Sequence, residues 1–208
     1  PSAIAYWNAR SELADGAAVV AGYPWFADWG RDTFIAMPGL TLSTGRYVVA
    51  RQILENWAHF IADGLLPNVL PEDGSAAQYN SDDAPLWYTE AWRDYCQHTQ
   101  DLAAVRHVLP VLKSITDGYT RGTQVGIGLD PADGLMRAGE PGSQVTWMDA
   151  RVDGVPATPR SGKPVEINAL WYNALRTLES FVALLGEDPA PYARQAGQAR
   201  AGFARFVR

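Results

Sequence analysis

Apolar residues recur every three or four positions through most of this chain, which predicts helices. Val49, Ile53, Trp57, Phe60 and Ile61 mark one helix over about 45–62. A second spans about 82–99, with Trp87, Ala91 and Tyr95 on one face; Asp82 is placed to cap it and Pro85 sits in its first turn. Leu102, Val105, Leu109, Leu112, Ile115 and Tyr119 define a third. The clearest runs over about 165–185, from Ile167 through Leu170, Trp171, Leu175, Leu178 and Phe181 to Leu185, and Gly186 stops it. A last helix covers about 189–207, and a shorter one about 32–43 is expected to be interrupted at Pro38. Strand signals are few: short hairpins are expected around 125–129, 134–137 and 144–148, beside the turn pairs Asp133-Gly134 and Pro141-Gly142.

The connections alternate in length. Those over 20–31, 64–81 and 124–164 are long and rich in Gly, Pro, Asp and aromatics; those near 43–45, 99–101 and 186–189 are short. Long and short loops in alternation describe helical hairpins whose long loops gather at one end. The expected fold is therefore all-α, a toroid of helical hairpins. Six helices make half of a twelve-helix barrel, so residues 1–208 are read as one partial domain, which the resemblance given below implies is its N-terminal half.

Composition narrows the function. The net charge is −6 with no Lys/Arg cluster, which argues against nucleic acid or an anionic membrane surface as partner. No apolar run approaches the ~20 residues that span a bilayer. The start lacks a signal-peptide pattern, and Pro1 in place of Met points to a processed chain or a fragment. The single Cys96 excludes an intrachain disulfide and favours a reducing compartment, the cytoplasm. His59, His98 and His107 show no metal-ligand spacing, so neither metal nor cofactor is expected. The outlier is aromatic content: eight Trp and nine Tyr, many of them in loops.

Candidate chemistry lies in those loops. Gly22-Tyr23-Pro24-Trp25-Phe26-Ala27-Asp28-Trp29-Gly30-Arg31-Asp32 sets aromatic walls beside two carboxylates and a guanidinium. Ring faces of Trp suit the C–H face of a sugar, and Asp and Arg suit its hydroxyls. A packed aromatic corner with a structural Arg–Asp pair explains the same residues. Thr146-Trp147-Met148-Asp149-Ala150 puts a carboxyl among apolar and aromatic neighbours, an environment that disfavours ionisation and suits a general acid. A surface Asp in a turn is the plainer reading. Asn80-Ser81-Asp82-Asp83-Ala84-Pro85-Leu86-Trp87 supplies acids that either cap a helix or bind a ligand, with Tyr79 and Trp87 as a stacking wall or as core. In Gly162-Lys163-Pro164-Val165-Glu166, Glu166 meets the positive end of a helix, which either suffices to explain it or aims it into the same pocket.

Taken together, residues 22–32, 80–87, 146–150 and 162–173 resemble the amylo-α-1,6-glucosidase domain of bacterial and archaeal glycogen debranching enzymes. The resemblance implies an (α/α)₆ toroid that hydrolyses α-1,6-linked glucose at trimmed glycogen branch points, with inversion. It implies Asp149 as general acid. Arg31 and Asp32 would grip the terminal glucose, with Trp25, Asp28 and Trp29 in the same wall. Tyr79, Asp82 and Trp87 would flank the sugar, and Lys163 and Glu166 would add contacts. An inverting enzyme needs a second carboxylate about 6.5–9.5 Å from the first. The resemblance puts it beyond Arg208, in the remaining half of the catalytic domain. Glu140 is the one tempting local alternative and is read as a substrate contact or a loop residue.

Overall fold

A computed structural model describes residues 4–7, 16–22, 26–71 and 76–207. Among the described residues six α-helices carry the fold: α1 (Gly30–Leu40), α2 (Tyr47–Ala58), α3 (Ala84–Thr99), α4 (Leu102–Arg121), α5 (Val165–Leu184) and α6 (Ala190–Gly202). The described strands are short antiparallel pairs: β1 (Ile4–Trp7) with β2 (Gly16–Val19), β3 (Asp28–Trp29) with β4 (Val69–Leu70), β5 (Gly128–Asp130) with β6 (Leu135–Arg137), and β7 (Arg151–Val152) with β8 (Val155–Pro156). The fold is all-α in class.

The helices form three hairpins. Two residues join α3 to α4: Gln100 turns the chain in a left-handed conformation and the Asp101 carboxylate caps α4 by accepting from the Ala104 N–H at 3.0 Å. Gly186, at φ 80°, ends the α5 segment and lets the chain reverse into α6. Helices α1 and α3 pack together, as do α3 and α5, while α2 lies on α3 and both α4 and α6 lie on α5. Alternate helices thus lie side by side and start at the same end, the layering of an α/α toroid.

One core joins the faces of α1–α4, with Phe34, Met37, Ile53, Tyr88, Trp92 and Leu112 wholly buried. A second forms under the long loop, where Tyr119, Ile127, Met136, Ile167 and Trp171 meet. Burial on this scale, at about 25 cal/mol per Å² of apolar surface, is what locks the loops to the helix ends.

Three expectations are corrected. Helix α1 begins at Gly30 and runs through Pro38 without a break. Pro38 lies in the last turn, so it removes a single hydrogen bond, and the buried Phe34 and Met37 before it offset that loss. Residues 144–148 form no strand: the Val145 carbonyl accepts from the Asp82 N–H at 2.8 Å, so this backbone is bonded to the start of α3. The last helix stops at Gly202 and continues as a 3₁₀ turn over Phe203–Phe206.

Candidate active site

The long connections converge at the end where α1, α3 and α5 begin. Strand β3 leads into α1 and pairs with β4 from the next long loop, Trp29 opposite Val69. The Gly30 N–H then donates to the Asn68 carbonyl at 2.9 Å. Gly30 is required here, because a Cβ would come within 2.5 Å of the Pro67 carbonyl oxygen.

This close approach delivers Arg31 to the start of α3. Its Nε and Nη2 donate to the two oxygens of Asp83 at 2.6 and 2.9 Å, a bidentate fork. Ser81 Oγ donates to Asp83 at 2.6 Å and accepts from the Ala84 N–H at 3.2 Å, so Ser81 serves the helix start and leaves Asp83 for Arg31. Arg31 Nη1 turns to Asp149, 4.0 Å from its carboxylate. Burial opposes the charge on Arg31, but the bonds and charge of Asp83, with Asp149 and Asp82 behind, hold its pKa above the usual value.

Asp82 is fully buried, and neither carboxylate oxygen has a hydrogen-bond partner among the described residues. Burial first, and the neighbouring charge of Asp83 second, push its pKa well above the usual carboxylate range. The Tyr119 hydroxyl donates to the Asp82 backbone carbonyl at 2.8 Å and fixes this turn from beneath.

Asp149 also lines a cavity of about 680 Å³, within the ~300–1,000 Å³ typical of ligand sites. Trp29 forms part of the wall, and Glu140 lines it as well. Five side-chain amides line it too: Asn68, Gln78, Asn80, Gln124 and Gln144. Across the loop, the Trp147 ring lies under the Arg160 guanidinium at 5.6 Å and its Nε1 donates to Glu166 at 3.2 Å, while Arg160 also pairs with Glu166.

A sequence model of the family described as Amylo-alpha-1,6-glucosidase matches residues 3–207. The chain belongs to the amylo-alpha-1,6-glucosidase family. The glycogen debranching enzyme of Saccharomyces cerevisiae is 27% identical over 218 residues, covering 76% of this chain and 14% of that protein. Among solved structures, an uncharacterized conserved protein of Thermus thermophilus superposes with a TM-score of 0.68 at 19% identity, over 91% of this chain and 59% of that one. The GH63 mannosylglycerate hydrolase of the same organism gives 0.67 at 17% identity, over 93% and 62%. The chain therefore spans a small part of the yeast relative and under two thirds of these structures. Their likeness shows the fold alone.

Within this amylo-alpha-1,6-glucosidase family chain, the residues singled out from sequence fall into distinct places. Arg31, Asp82 and Asp149 come together, with Trp29 beside them on the cavity wall. Asp28 is buried in β3. Trp25 lies outside the described residues. Asp32 is exposed in the first turn of α1 and does not partner Arg31, whose carboxylate is Asp83. Asp149 is not enclosed as its apolar neighbours suggested: its side chain is 40% exposed. Tyr79 spends its hydroxyl on the Phe60 carbonyl at 2.8 Å, and Trp87 packs against the first core. Lys163 is bound to Asp130 and Asp133 of the β5–β6 hairpin at 2.8 and 2.7 Å. Glu166 meets Trp147 and Arg160. Asp83, read in sequence as a helix cap or a ligand-binding acid, is the partner that matters most to Arg31. No group of metal-binding spacing occurs among the described residues, and none of their helices is long and apolar enough to cross a membrane.

Proposed function

We propose that this glycosidase-family chain hydrolyses the α-1,6-linked glucose at branch points of a glycogen-type glucan, with inversion at the anomeric carbon. The observation that carries it is the approach of Arg31, held by Asp83, to within 4.0 Å of Asp149. A rigid cation beside a half-exposed carboxyl supplies a grip and a proton donor side by side. Asp149 protonates the glycosidic oxygen as its bond to the anomeric carbon breaks. Water adds to that carbon from the opposite face and gives its proton to a second carboxylate. That base is assigned to the remaining half of the catalytic domain, to which this chain contributes the N-terminal hairpins. Arg31 holds the terminal glucose, walled by Asp28 and Trp29. Tyr79, Asp82 and Trp87 flank it, with Glu166 as a further contact. The lone, buried Cys96 suits work in the cytoplasm. Isolated from the other half, the chain is expected to be inactive.

The test is glucose release from branched limit dextrin by the whole protein. Asp149→Asn should abolish release and leave the fold unchanged; wild-type turnover in that variant refutes the acid assignment. Because a mannosylglycerate hydrolase shares the fold, a related specificity of the glucoamylase or trehalase type is the competing reading. Comparing α-1,6- with α-1,4-linked substrates separates them. Binding of glucan without hydrolysis would instead mark a carbohydrate-binding unit.

A further inference from the structure

We infer that the cavity lined by carboxamides beside Asp149 is a subsite for the sugar on the leaving-group side of the cleaved bond. The inference rests on the proposed hydrolysis. Its lining is unusual in kind. Asn68, Gln78, Asn80, Gln124 and Gln144 come from four separate stretches of the two long loops after α2 and α4 and converge on one space. A carboxamide both donates and accepts hydrogen bonds and carries no net charge, as does a sugar hydroxyl.

Two of the five lack partners. Asn68 and Gln144 are 3% and 8% exposed, and Asn68 Oδ1 and Gln144 Oε1 have no donor among the described residues. The Gln144 amide nitrogen is committed to the Ala150 carbonyl at 2.9 Å, which fixes the rotation of the group and leaves its oxygen as the open acceptor. Buried acceptors are costly to leave unmet, and ligand hydroxyls would meet these two. Trp29 adds an aromatic surface for a sugar's C–H face. Glu140 and Arg151, both exposed, also line it.

The side of the bond follows from Asp149. Arg31 is not among the lining residues, whereas Asp149 lines the cavity and lies 4.0 Å from Arg31. Asp149 thus stands between the cationic grip and the neutral cavity. With glucose held at Arg31, the oxygen that Asp149 protonates leads into the carboxamides. They would bind the glucosyl unit that departs with that oxygen.

Gln124 and Asn80 are exposed, non-helical side chains, so Gln124→Ala and Asn80→Ala leave the core intact. Each variant of the whole protein is assayed on limit dextrin and on α-glucosyl fluoride, whose leaving group is fluoride and needs no sugar subsite. The ratio of kcat/KM for dextrin to that for the fluoride should fall about tenfold, one hydrogen-bonded contact's worth. An unchanged ratio, whether both rates stay or both fall together, overturns the inference. If the wild type cleaves neither substrate, the proposed hydrolysis itself fails. Calorimetric titration with maltotriose then decides for the cavity: weaker binding by the double variant supports a sugar site, and equal binding refutes it.

Discussion

Two ionic clusters occupy the long loops, and they differ in charge balance. Around Arg31 stand Asp83 at 2.6 Å, Asp149 at 4.0 Å and the buried Asp82, so one cation faces three carboxyls. Arg160 also acts on Asp82, but weakly, and is itself engaged by Glu166. Around the β5–β6 hairpin, Lys163 and Arg205 face Asp130 and Asp133, two cations for two carboxylates. The balanced cluster holds both its acids below the usual carboxylate range: hydrogen bonding to Lys163 dominates for Asp130, and for Asp133 desolvation is the largest single influence but is outweighed by Lys163, the Leu135 N–H and Arg205 together. In the unbalanced cluster burial first, and the charge of Asp83 second, push Asp82 the other way. Saturated charges tie a loop down; an excess of carboxyl over cation stores a proton and leaves polar capacity for a ligand.

The largest expected effect breaks the comparison outright if it fails. Asp149→Asn should lower kcat for glucose release by about 10²–10⁴-fold, the usual worth of a general acid, with the melting temperature unchanged. Lys163→Met, in the balanced cluster, should leave kcat within a few-fold of wild type. Equal losses in both would mean that charge balance does not separate chemistry from support.

Removing one carboxylate from each cluster comes next. Asp83→Asn strands Arg31, whose side chain is 12% exposed, and should cost about 3 kcal/mol of stability along with most activity. Asp133→Asn removes a partner that is 20% exposed and leaves Lys163 with Asp130, so about 1 kcal/mol is expected. Chemical denaturation of the two variants checks the order.

Stability against pH sharpens the contrast, because the signs oppose. Asp82 has a raised folded-state pKa, so its contribution is complete below the unfolded value of about 3.9 and is lost as pH rises through the folded value. Asp82→Asn should therefore gain on wild type as pH rises, by about 1–3 kcal/mol at neutrality. Asp130 has a lowered folded-state pKa, so its contribution is present above about 3.9 and fades as the solution is acidified through the folded value. Asp130→Asn should thus lose against wild type at neutral pH and match it in acid. Parallel denaturation series from about pH 2 to pH 8 would show the curves diverging in opposite senses, Asp130→Asn below about pH 4 and Asp82→Asn above it; parallel curves would refute the charge-balance argument.

The helices and their hairpin order were legible in sequence because each buries a continuous stripe; Leu170 to Leu185 is the plainest case. Loop alternation correctly gathered Arg31, Asp82 and Asp149. Which acid Arg31 takes was not legible. Asp32 follows Arg31 on one helix, about 100° around it, so the two point to different sides, and the partner comes from 52 positions away. Nor were the carboxamides: Asn68, Gln78, Asn80, Gln124 and Gln144 form no motif, and only the pairing of β3 with β4 and the fold of 122–164 brings them to one wall. The β7–β8 pair escaped notice because its residues are almost all exposed, so no alternation of buried and open positions marks it.

The smallest expected effect concerns Glu140, the carboxylate that shares the cavity with Asp149. It is exposed, lies on the lining of a second crevice as well, and its backbone carbonyl accepts from Ser143 Oγ at 2.7 Å. Nothing holds its carboxylate against Asp149 as Asp83 is held against Arg31, and a base must be fixed to align a water for attack. Glu140→Gln should thus change kcat by less than about threefold, far short of the 10²–10⁴ that a general base supplies. A loss on that larger scale, with KM little altered, would bring the base into this chain. The unbalanced cluster and its cavity would then hold both halves of the inverting pair, and the carboxamides would line the path of the attacking water instead of the departing sugar.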